Sequence, residues 1–279
     1  MPRNASTQEA YPAPIVGALL AALTVMPPPR PWLIGLSGLQ GSGKSTLAAQ
    51  LVEAARMNAV TVLSMSIDDF YFGRAARKHL ARTIHPLLAT RGVPGTHDIE
   101  LLMRTLDDLC TASPVRPACI PRFDKGRDTR VPPSRWREVR QRPDLIVLDG
   151  WCVGVPPQSA AALRRPINTL EETEDADARW RTWVNEQLAA HYVPLWERLD
   201  RLVLLQAPDF DVVSQWRDQQ ERALRQNGAP HAMSPAVLRR FVMHYERLSR
   251  QALKELPARA DIRIVLDEQR RVRRVIDRR

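Results

Sequence analysis

The stretch "GLSGLQGSGKST", residues 35–46, contains the spacing G-x-x-x-x-G-K-[ST] that is typical of a loop cradling phosphate groups. An apolar segment, residues 32–37, comes before the bend and predicts a short buried strand. After Lys44 one helical face is apolar, and its members are Leu47, Ala48, Leu51, Val52 and Ala55. Strand, glycine bend and helix therefore follow one another in the order that a triphosphate-binding loop requires.

The glycines and the new helix together predict the chemistry of this loop. Glycine permits the sharp backbone conformations in which successive N–H groups converge on an anion, and the positive end of the helix dipole points to the same place. In this pattern the lysine reaches the outer phosphates and the next hydroxyl ligates Mg2+, roles that fall to Lys44 and Ser45. The residues expected to hold the nucleotide are Gly38, Gly41, Ser42, Gly43, Lys44, Ser45 and Thr46.

Composition sets bounds on the partners of the protein. The 279 residues, 44% of them hydrophobic, can bury a sizeable core in one or two domains, and no break in composition separates two of them. The formal net charge is +10, and many arginines lie near the C-terminus in "EQRRVRRVIDRR". Because neither an aromatic-interleaved basic platform nor zinc-finger spacing accompanies them, nucleic-acid binding is not expected. We interpret the basic excess as a solvated surface that attracts anionic substrates.

Cysteine usage and hydropathy predict a cytoplasmic protein. Cys110, Cys119 and Cys152 are too few and too unevenly spaced for a disulfide framework or a zinc site, which favours a reducing compartment. The apolar run 15–26 is too short to span a bilayer, and it lacks the flanks of a signal peptide. We expect it to form an N-terminal helix packed on the core and ended by the prolines of residues 27–31.

Short apolar runs alternate with helical patterns along the chain. Runs without polar alternation predict buried strands at 32–37, 60–66, 145–149, 201–206 and 262–266. Helical periodicity covers 98–111, 177–192, 210–226 and 235–253. This alternation predicts an α/β fold with a five-stranded, mainly parallel sheet and helices on both faces.

Two segments outside the strands have simpler interpretations. Trp180, Trp183 and Val184 share a helical face and are expected in the core. The acidic run "EETEDAD", residues 171–177, is expected to be a solvated loop rather than a second metal site. The proline-rich stretch 112–143 is the least regular part of the chain.

Acidic side chains follow two of the predicted strands at their carboxyl ends, where ligands of open α/β sheets bind. Asp68 and Asp69, in "SIDDFY", come after the second strand and offer a general base and a magnesium partner. Adjacent acids are also common in solvated turns, so both interpretations stay open for this pair. Asp149, in "LDGW", stands after the third strand, where a phosphate-loop enzyme carries an acid that orients magnesium.

Further motifs resemble a known family. "RGVPGTHDIELL", "PRFDKGRDTR", "LDGWCVG", "WRDQQERALR" and "MSPAVLRRFVMHYERLSRQAL", with the two stretches quoted above, resemble the D-glycerate 3-kinase group. That group is similar to uridine kinase, phosphoribulokinase and bacterial pantothenate kinase. The resemblance spans about residues 30–267, and it rests more on the succession "PGTHD", "FDK" and "GW" than on the widely shared glycine loop. It implies a P-loop kinase fold and ATP- and Mg2+-dependent transfer of the γ-phosphoryl group to a small metabolite, with D-glycerate as the favoured acceptor and 3-phosphoglycerate as its product.

The resemblance implies roles for individual positions. Asp68 inherits the base that deprotonates the acceptor hydroxyl, Asp69 supports it, and Asp149 joins Ser45 as a metal ligand. The cations offered to a glycerate carboxylate are Arg122, Lys125 and Arg130. The implied acceptor-binding residues are Asp69, Tyr71, His97, Asp98, Arg122, Asp124, Lys125 and Arg130. Two structural alternatives stay open here: Asp98 as the cap of the next helix and His97 as a neutral turn residue.

The segment "DFDVVSQWRDQQERALR" resembles the lid helix of these kinases. Arg222 is expected to act on the transferring group, and Arg217 and Arg225 to bind the nucleotide; the alternative is a solvated basic face. We expect a helical extension at 1–30 and one kinase domain at 31–279, with an acceptor-loop insertion near 112–143 and the lid near 208–229. The oligomeric state is open.

The wider choice of function also stays open in part. The acceptor could instead be a nucleoside, a pantothenate-like acid or a polyol. A nucleotide-driven switch or a nucleic-acid-dependent ATPase uses the same glycine loop, but the sequence contains no N-K-x-D motif and no D-E-A-D box. The acidic pair after the second strand also has no obvious task in a switch.

Overall fold

The computed structural model describes residues 10–24, 30–226 and 233–278, with the side chains of 223–225 left out. The strands are β1 Trp32–Gly38, β2 Val62–Ser66, β3 Ala118–Ile120, β4 Phe123–Asp124, β5 Thr129–Arg130, β6 Arg137–Val139, β7 Leu145–Gly150, β8 Arg201–Gln206, β9 Ile262–Leu266 and β10 Val272–Asp277. The helices are α1 Ala13–Leu23, α2 Lys44–Arg56, α3 Arg74–Thr83, α4 Ile99–Cys110, α5 Ala160–Leu163, α6 Thr169–Glu174, α7 Arg179–Gln187, α8 Val193–Trp196, α9 Val212–Gln226 and α10 Pro235–Arg259. A π-helical turn, Leu188–Tyr192, joins α7 to α8.

The central sheet has six strands in the order β10-β9-β8-β1-β7-β2. The five apolar strands expected from the sequence are parallel to one another, whereas β10 runs antiparallel to β9 at the edge. Helices surround this sheet, so the α/β fold of a P-loop kinase is confirmed. The five buried strands are rich in Val, Ile and Leu because both faces of a parallel sheet are covered.

The sixth strand corrects the sequence analysis. The arginine-rich segment near the C-terminus was treated only as a basic surface, but residues 272–277 of that segment form β10. Arg273 and Arg274 are exposed, while Val272 and Ile276 are partly buried. A charged strand of this kind is suited to a sheet edge, where exposed charges discourage pairing with another chain.

The phosphate-loop helix is held by its apolar face. Leu47, Ala48, Leu51 and Ala55 on α2 are each at most 2% exposed, and α2 packs against β1, β2 and β7. The N-terminal helix α1 in turn packs against α2. The helix ends at Leu23, and the first three prolines of its predicted stop at 27–31 lie outside the described part of the chain. Among the described helices, none combines the length and apolar character needed to cross a membrane.

The acidic run 171–177 is not a solvated loop, and that expectation was wrong. Its first half lies in α6, where Glu171 is fully buried against Arg247 at 2.5 Å. Asp175, 1% exposed, pairs with the buried Arg181 at 2.8 Å. Burial of these acids is possible because each has a buried arginine as partner, and paired charges tolerate a low dielectric far better than lone ones.

Asp175 also lies near His85 and Asp177. One ring nitrogen of His85 and one carboxylate oxygen of each acid all lie within 4.8 Å of one another. Nδ1 of His85 accepts a hydrogen bond from the Leu87 N–H, so the neutral ring carries its proton on Nε2, the atom that faces Asp175. The Asp175 carboxylate already accepts from the Trp180 N–H at 2.7 Å and from Arg181. These groups therefore stabilise the start of α7, and we assign no metal to them.

Candidate functional site

The glycine loop joins the carboxyl end of β1 to the start of α2. Gly41 and Gly43 have φ angles of +81° and +93°, a left-handed conformation that favours glycine. Gly43 is the residue that precedes α2, so the N–H groups of the first helical turn begin at Lys44. The loop therefore combines N–H groups that have no partner within α2 itself with the positive end of the α2 dipole, the arrangement that binds phosphate.

Asp149 lies beside this loop because β7 is placed between β1 and β2. In the sheet register it stands next to Leu36 of β1 and Ser66 of β2. The Ser66 hydroxyl donates to Oδ1 of Asp149 at 2.9 Å. Burial raises the pKa of Asp149 to about 6, although the nearby Lys44 ammonium acts against this rise. A buried carboxylate with this cost of ionisation is stabilised by a cation in the same site.

Lys44 folds back over its own loop. Its Nζ donates to the carbonyl oxygens of Gly38 at 2.7 Å and Leu39 at 3.0 Å. Burial lowers the pKa of Lys44 to about 8, while the carboxylates of Asp149 and Asp68 oppose this shift. The lysine is thus held by two neutral oxygens, which the oxygens of a phosphate group can replace.

Asp68 stands in a short 3-10 helix, Ile67–Phe70, immediately after β2. Nζ of Lys125 lies 2.6 Å from its Oδ2, and the Tyr71 hydroxyl donates to its Oδ1 at 2.9 Å. Burial on its own would raise the pKa of Asp68, but Lys125, supported by His97 and Tyr71, holds this pKa well below its usual range. Asp68 is therefore an ionised carboxylate that can accept a proton once its cationic partner is drawn away.

His97 belongs to a chain of aromatic contacts that runs through Tyr71, the residue bonded to Asp68. Its ring stacks on Tyr71 with the ring centres 4.4 Å apart. The Tyr192 hydroxyl accepts from the Gly95 N–H at 3.0 Å and lies 2.7 Å from Nδ1 of His97. Among the described residues Nδ1 is the acceptor within reach of the buried Tyr192 O–H, so we infer that the hydroxyl donates to Nδ1 and that the neutral imidazole carries its hydrogen on Nε2.

Nε2 of His97 is buried and has no hydrogen-bond partner among the described residues. Burial lowers the pKa of His97 to about 4, although Asp68 opposes the shift, so the ring is neutral near pH 7. A buried donor without a partner costs free energy, and a polar ligand at this point relieves that cost.

Asp98 and Arg130 connect the two acceptor motifs. Asp98 accepts from the Leu101 N–H at 3.0 Å and thereby caps α4, and it also lies 3.2 Å from Arg130. Arg130 additionally donates to the carbonyl oxygens of Phe70 and Tyr71, both at 3.2 Å. The structural alternative for Asp98 thus holds, and the guanidinium of Arg130 fastens the segment around Asp68.

Three other predicted pocket residues have different surroundings. Asp69 accepts from the Phe123 N–H at 3.2 Å and so anchors β4, the strand that leads into the turn with Lys125. Asp124 accepts from the Gly126 and Arg127 N–H groups, which shapes the turn between β4 and β5. The side chain of Arg122 is exposed. Four predicted residues are linked by contacts at the centre of the site: Asp68, Tyr71, His97 and Lys125. Asp69, Asp124 and Arg122 lie around them.

The lid arginines are paired within their own helix. Nη2 of Arg217 lies 2.8 Å from Glu221, and Nη2 of Arg222 lies 2.6 Å from Asp218. The side chain of Arg222 is 68% exposed. The side chain of Arg225 lies outside the described residues. Because a guanidinium has five N–H donors, contact with a phosphate requires either that these acids release the arginines or that the remaining donors turn to the ligand.

Several residues that support the site carry little recognisable signal in the sequence. Tyr192 directs the His97 tautomer from 95 residues away, and nothing in the local pattern reveals that contact. Arg77, 2% exposed, and Arg91 both pair with Asp128, at 2.6 and 2.5 Å. Arg91 stands in the quoted motif "RGVPGTHDIELL", which is the one signal that could have identified it.

Comparison with known proteins finds relatives that are named as kinases. No protein-family model matches the chain. Over 247 residues it is 35% identical to the uncharacterized kinase mug58 of Schizosaccharomyces pombe, a match that covers 83% of this chain and 85% of the relative. It is 31% identical over 224 residues to the chloroplastic D-glycerate 3-kinase of Arabidopsis thaliana, covering 77% of this chain and 46% of the plant protein.

A solved structure, the D-glycerate 3-kinase from Cryptococcus neoformans, superimposes with a TM-score of 0.74. The superposition covers 95% of this chain and 97% of that one at 24% sequence identity. At this identity the likeness concerns the fold.

Proposed function

Since the chain belongs to the D-glycerate 3-kinase-like family of ATP-dependent small-molecule kinases, we propose that it phosphorylates D-glycerate to 3-phosphoglycerate. The observation that carries this proposal is the pair formed by Asp68 and Lys125, 2.6 Å apart beside the phosphate loop. One member is an ionised carboxylate suited to deprotonate a hydroxyl, and the other is a cation suited to bind a carboxylate. An acceptor that carries a hydroxyl and a carboxylate a few bonds apart matches this pair.

Asp68 supplies the base. The acceptor O–H gives its proton to the Asp68 carboxylate while its oxygen forms a bond to the γ-phosphorus, and the bond from that phosphorus to the bridging oxygen breaks to leave ADP. Phosphoryl transfer depends mainly on positioning and charge neutralisation, so a carboxylate at the acceptor is a sufficient base.

Lys125 couples acceptor binding to the strength of this base. Its side chain is 63% exposed and can turn toward a carboxylate of the acceptor. Because the ammonium lowers the pKa of Asp68, drawing it toward the substrate makes Asp68 a stronger base when an acceptor is present. Arg122 adds an exposed cation on the same segment, and the Nε2–H of His97 offers a donor to an acceptor oxygen.

Mg2+ fits the residues beside the loop. The Ser45 hydroxyl and the buried Asp149 carboxylate are oxygen ligands of the kind this ion prefers, and a cation offsets the burial that raises the pKa of Asp149. When bound, Mg2+ neutralises charge on the β- and γ-phosphates. Lys44 binds the outer phosphates directly once it leaves the carbonyl oxygens of Gly38 and Leu39.

The lid and the insertion complete the proposed site. On ATP binding, Arg217 and Arg222 of α9 turn toward the phosphates, with Arg222 stabilising the transferring group. Residues near 112–143 supply Lys125 and thereby form the acceptor side, while residues 31–279 act as one kinase domain. We also propose a cytoplasmic location, because Cys110, Cys119 and Cys152 are all free thiols.

The proposal is tested by acceptor-dependent release of ADP from Mg-ATP. The panel contains D-glycerate, L-glycerate, uridine, pantothenate and several polyols, each with and without EDTA, and Lys44→Ala serves as the inactive control. We expect D-glycerate to stimulate release, and EDTA or Lys44→Ala to abolish the stimulation. Stimulation by another compound alone would replace the acceptor. RNA and DNA are assayed in parallel, and stimulation by either would contradict the assignment to small-molecule kinases.

A further inference from the structure

Two side chains from opposite ends of the described chain bond to carbonyl oxygens of the phosphate loop. The Tyr11 hydroxyl donates to the carbonyl oxygen of Ser42 at 2.8 Å, and Tyr11 is only 4% exposed. Nη1 of Arg270 donates to the carbonyl oxygen of Gly41 at 3.4 Å. The two carbonyls belong to consecutive residues, so the N-terminal segment and the turn between β9 and β10 meet at one side of the loop.

Each of these side chains is itself held in place. The backbone N–H of Tyr11 donates to Gln50 of α2 at 2.9 Å, and the Gln50 amide donates back to the Tyr11 carbonyl at 2.8 Å. Arg270 has a φ of 65°, and its guanidinium carbon lies 5.7 Å from the Trp216 ring centre. Arg270 also donates to Gln219 on α9.

Trp216 adds a third contact from the lid helix. A Cβ atom on Gly41 would lie 2.7 Å from the Trp216 Cβ, so the loop backbone runs directly against this residue. The Trp216 indole N–H donates to the Glu268 carbonyl at 2.6 Å, which fixes the ring to the turn that carries Arg270. The loop is thus enclosed on this side by α9, the β9–β10 turn and the segment at Tyr11.

These contacts matter because Gly41 and Gly43 have no side chains to restrict the loop backbone at their positions. Gly41 and Gly43 occupy conformations that glycine adopts but does not favour over others. In a planar trans peptide the C=O and the N–H point in opposite directions. A bond that holds the Ser42 carbonyl against Tyr11 therefore also fixes the direction of the Gly43 N–H on the other side of the same peptide.

We propose that Tyr11 and Arg270 are positioning residues for the phosphate loop. Tyr11 holds the Ser42 carbonyl outward so that the Gly43 N–H stays directed at the phosphates of the nucleotide. Arg270 holds the preceding Gly41 carbonyl, on the peptide whose Ser42 N–H closes the turn onto the Leu39 carbonyl at 3.1 Å. Residues 10–24 and the β9–β10 hairpin are accordingly parts of the nucleotide site rather than appendages of it. The inference rests on nucleotide binding by the loop in the proposed kinase and is independent of which acceptor is used.

The test measures the Kd of Mg-ADP by calorimetry on the full-length chain, together with the melting temperature of the nucleotide-free protein. Tyr11→Phe removes only the hydroxyl, and loss of one buried hydrogen bond predicts a Kd about three- to tenfold higher. Tyr245→Phe is the matched control, because Tyr245 is equally buried at 3% exposure and donates to the Arg91 carbonyl at 2.9 Å, on the acceptor side. Its Mg-ADP Kd is expected to equal that of the wild type.

A merely structural role for the Tyr11 hydroxyl would lower the melting temperature of both variants and leave both Mg-ADP affinities unchanged, which would overturn the proposal. Arg270 is tested in the same assay. Arg270→Ala is expected to weaken Mg-ADP binding, and Arg270→Lys to weaken it less because a donor and a charge remain; equal and unaltered affinities would remove Arg270 from the site. A wild-type protein that binds Mg-ADP but ignores D-glycerate would contradict the proposed acceptor alone.

Discussion

Nζ of Lys125 lies 2.6 Å from Oδ2 of Asp68, joining the β4–β5 turn to the carboxyl end of β2 across 57 residues of sequence. The contact keeps the base ionised before the acceptor arrives. It also keeps the base weak, because the lysine lowers the pKa of Asp68. The proposed acceptor releases the base by competing for the lysine, so phosphoryl transfer and acceptor binding are linked through one ion pair.

Lys125→Met is expected to move the acid limb of the pH profile of kcat/KM for D-glycerate to higher pH. Without the ammonium the pKa of Asp68 rises, so protonation inactivates the base at a higher pH than in the wild type. Loss of a charge-assisted contact to the substrate should also reduce kcat/KM at pH 8 by about ten- to a hundredfold. Arg127→Met, which removes an exposed arginine 3.8 Å from Asp124, is the control and should leave the acid limb in place. An unmoved limb in Lys125→Met would show that the lysine does not act on the base.

Tyr192→Phe is expected to raise the KM for the acceptor by about three- to tenfold, the effect of one buried hydrogen bond. The variant loses the hydroxyl that lies 2.7 Å from Nδ1 of His97, so the imidazole is no longer restricted to the tautomer with its hydrogen on Nε2. The KM for ATP should not change, because Tyr192 has no bond to the phosphate loop among those the structure describes. A rise in both KM values by the same factor would point to a general loosening of the fold instead.

His97 also predicts a pH dependence of stability. Its pKa in the folded protein is lowered to about 4 by burial, whereas an unfolded histidine titrates near pH 6.5. As the pH falls from about 6.5 to 4, the unfolded state binds a proton that the folded state excludes, so the free energy of unfolding declines. Urea unfolding of His97→Gln at pH 7 and pH 4.5 should show a smaller decline than the wild type. Equal declines in the two proteins would mean that His97 is not a neutral buried group.

Glu171→Ala is expected to lower the free energy of unfolding by about 3–5 kcal/mol, because it leaves the buried guanidinium of Arg247 without its carboxylate. Glu174→Ala, on the same helix, is a matched control: its partner Arg240 lies at the same short range, 2.6 Å, but both side chains are at least 40% exposed. An exposed pair of this kind should cost no more than about 1 kcal/mol. Chemical denaturation measures both, and similar small losses would contradict the importance assigned to the buried pair.

The phosphate loop and the parallel strands could be predicted because their signals are local. The glycine spacing, the apolar run before it and the apolar face of α2 all lie within 25 residues of one another, and each strand is a continuous apolar segment. Residues that follow parallel strands meet at one edge of the sheet, so Asp68 and Asp149 could also be expected near the loop. The distances of Asp68 and Asp149 from the loop and their protonation states could not be predicted from the sequence.

The features that could not be predicted from the sequence depend on contacts between residues far apart along the chain. Glu171 is buried because Arg247 pairs with it from 76 positions away in the sequence. An acidic run without such a partner would be exposed to water, so the local sequence alone predicts a solvated segment. Strand β10 could not be predicted from an apolar run, because arginines separate its few apolar residues. Such mixed composition distinguishes an exposed edge strand from a buried one. Tyr11 bonds to the loop from outside every quoted motif, and no periodicity in its neighbourhood indicates the contact.

Transfer of the γ-phosphoryl group of radiolabelled ATP to D-glycerate tests the central claim most directly, with wild type and Asp68→Asn compared after both are shown to bind Mg-ADP equally. The product is identified by comparison with authentic 3-phosphoglycerate. We expect labelled 3-phosphoglycerate from the wild type and a kcat at least about a hundredfold lower in Asp68→Asn, since a general base acts in the transition state rather than in the nucleotide complex. Transfer at an undiminished rate by Asp68→Asn, or no label in 3-phosphoglycerate with the wild type, would contradict the account.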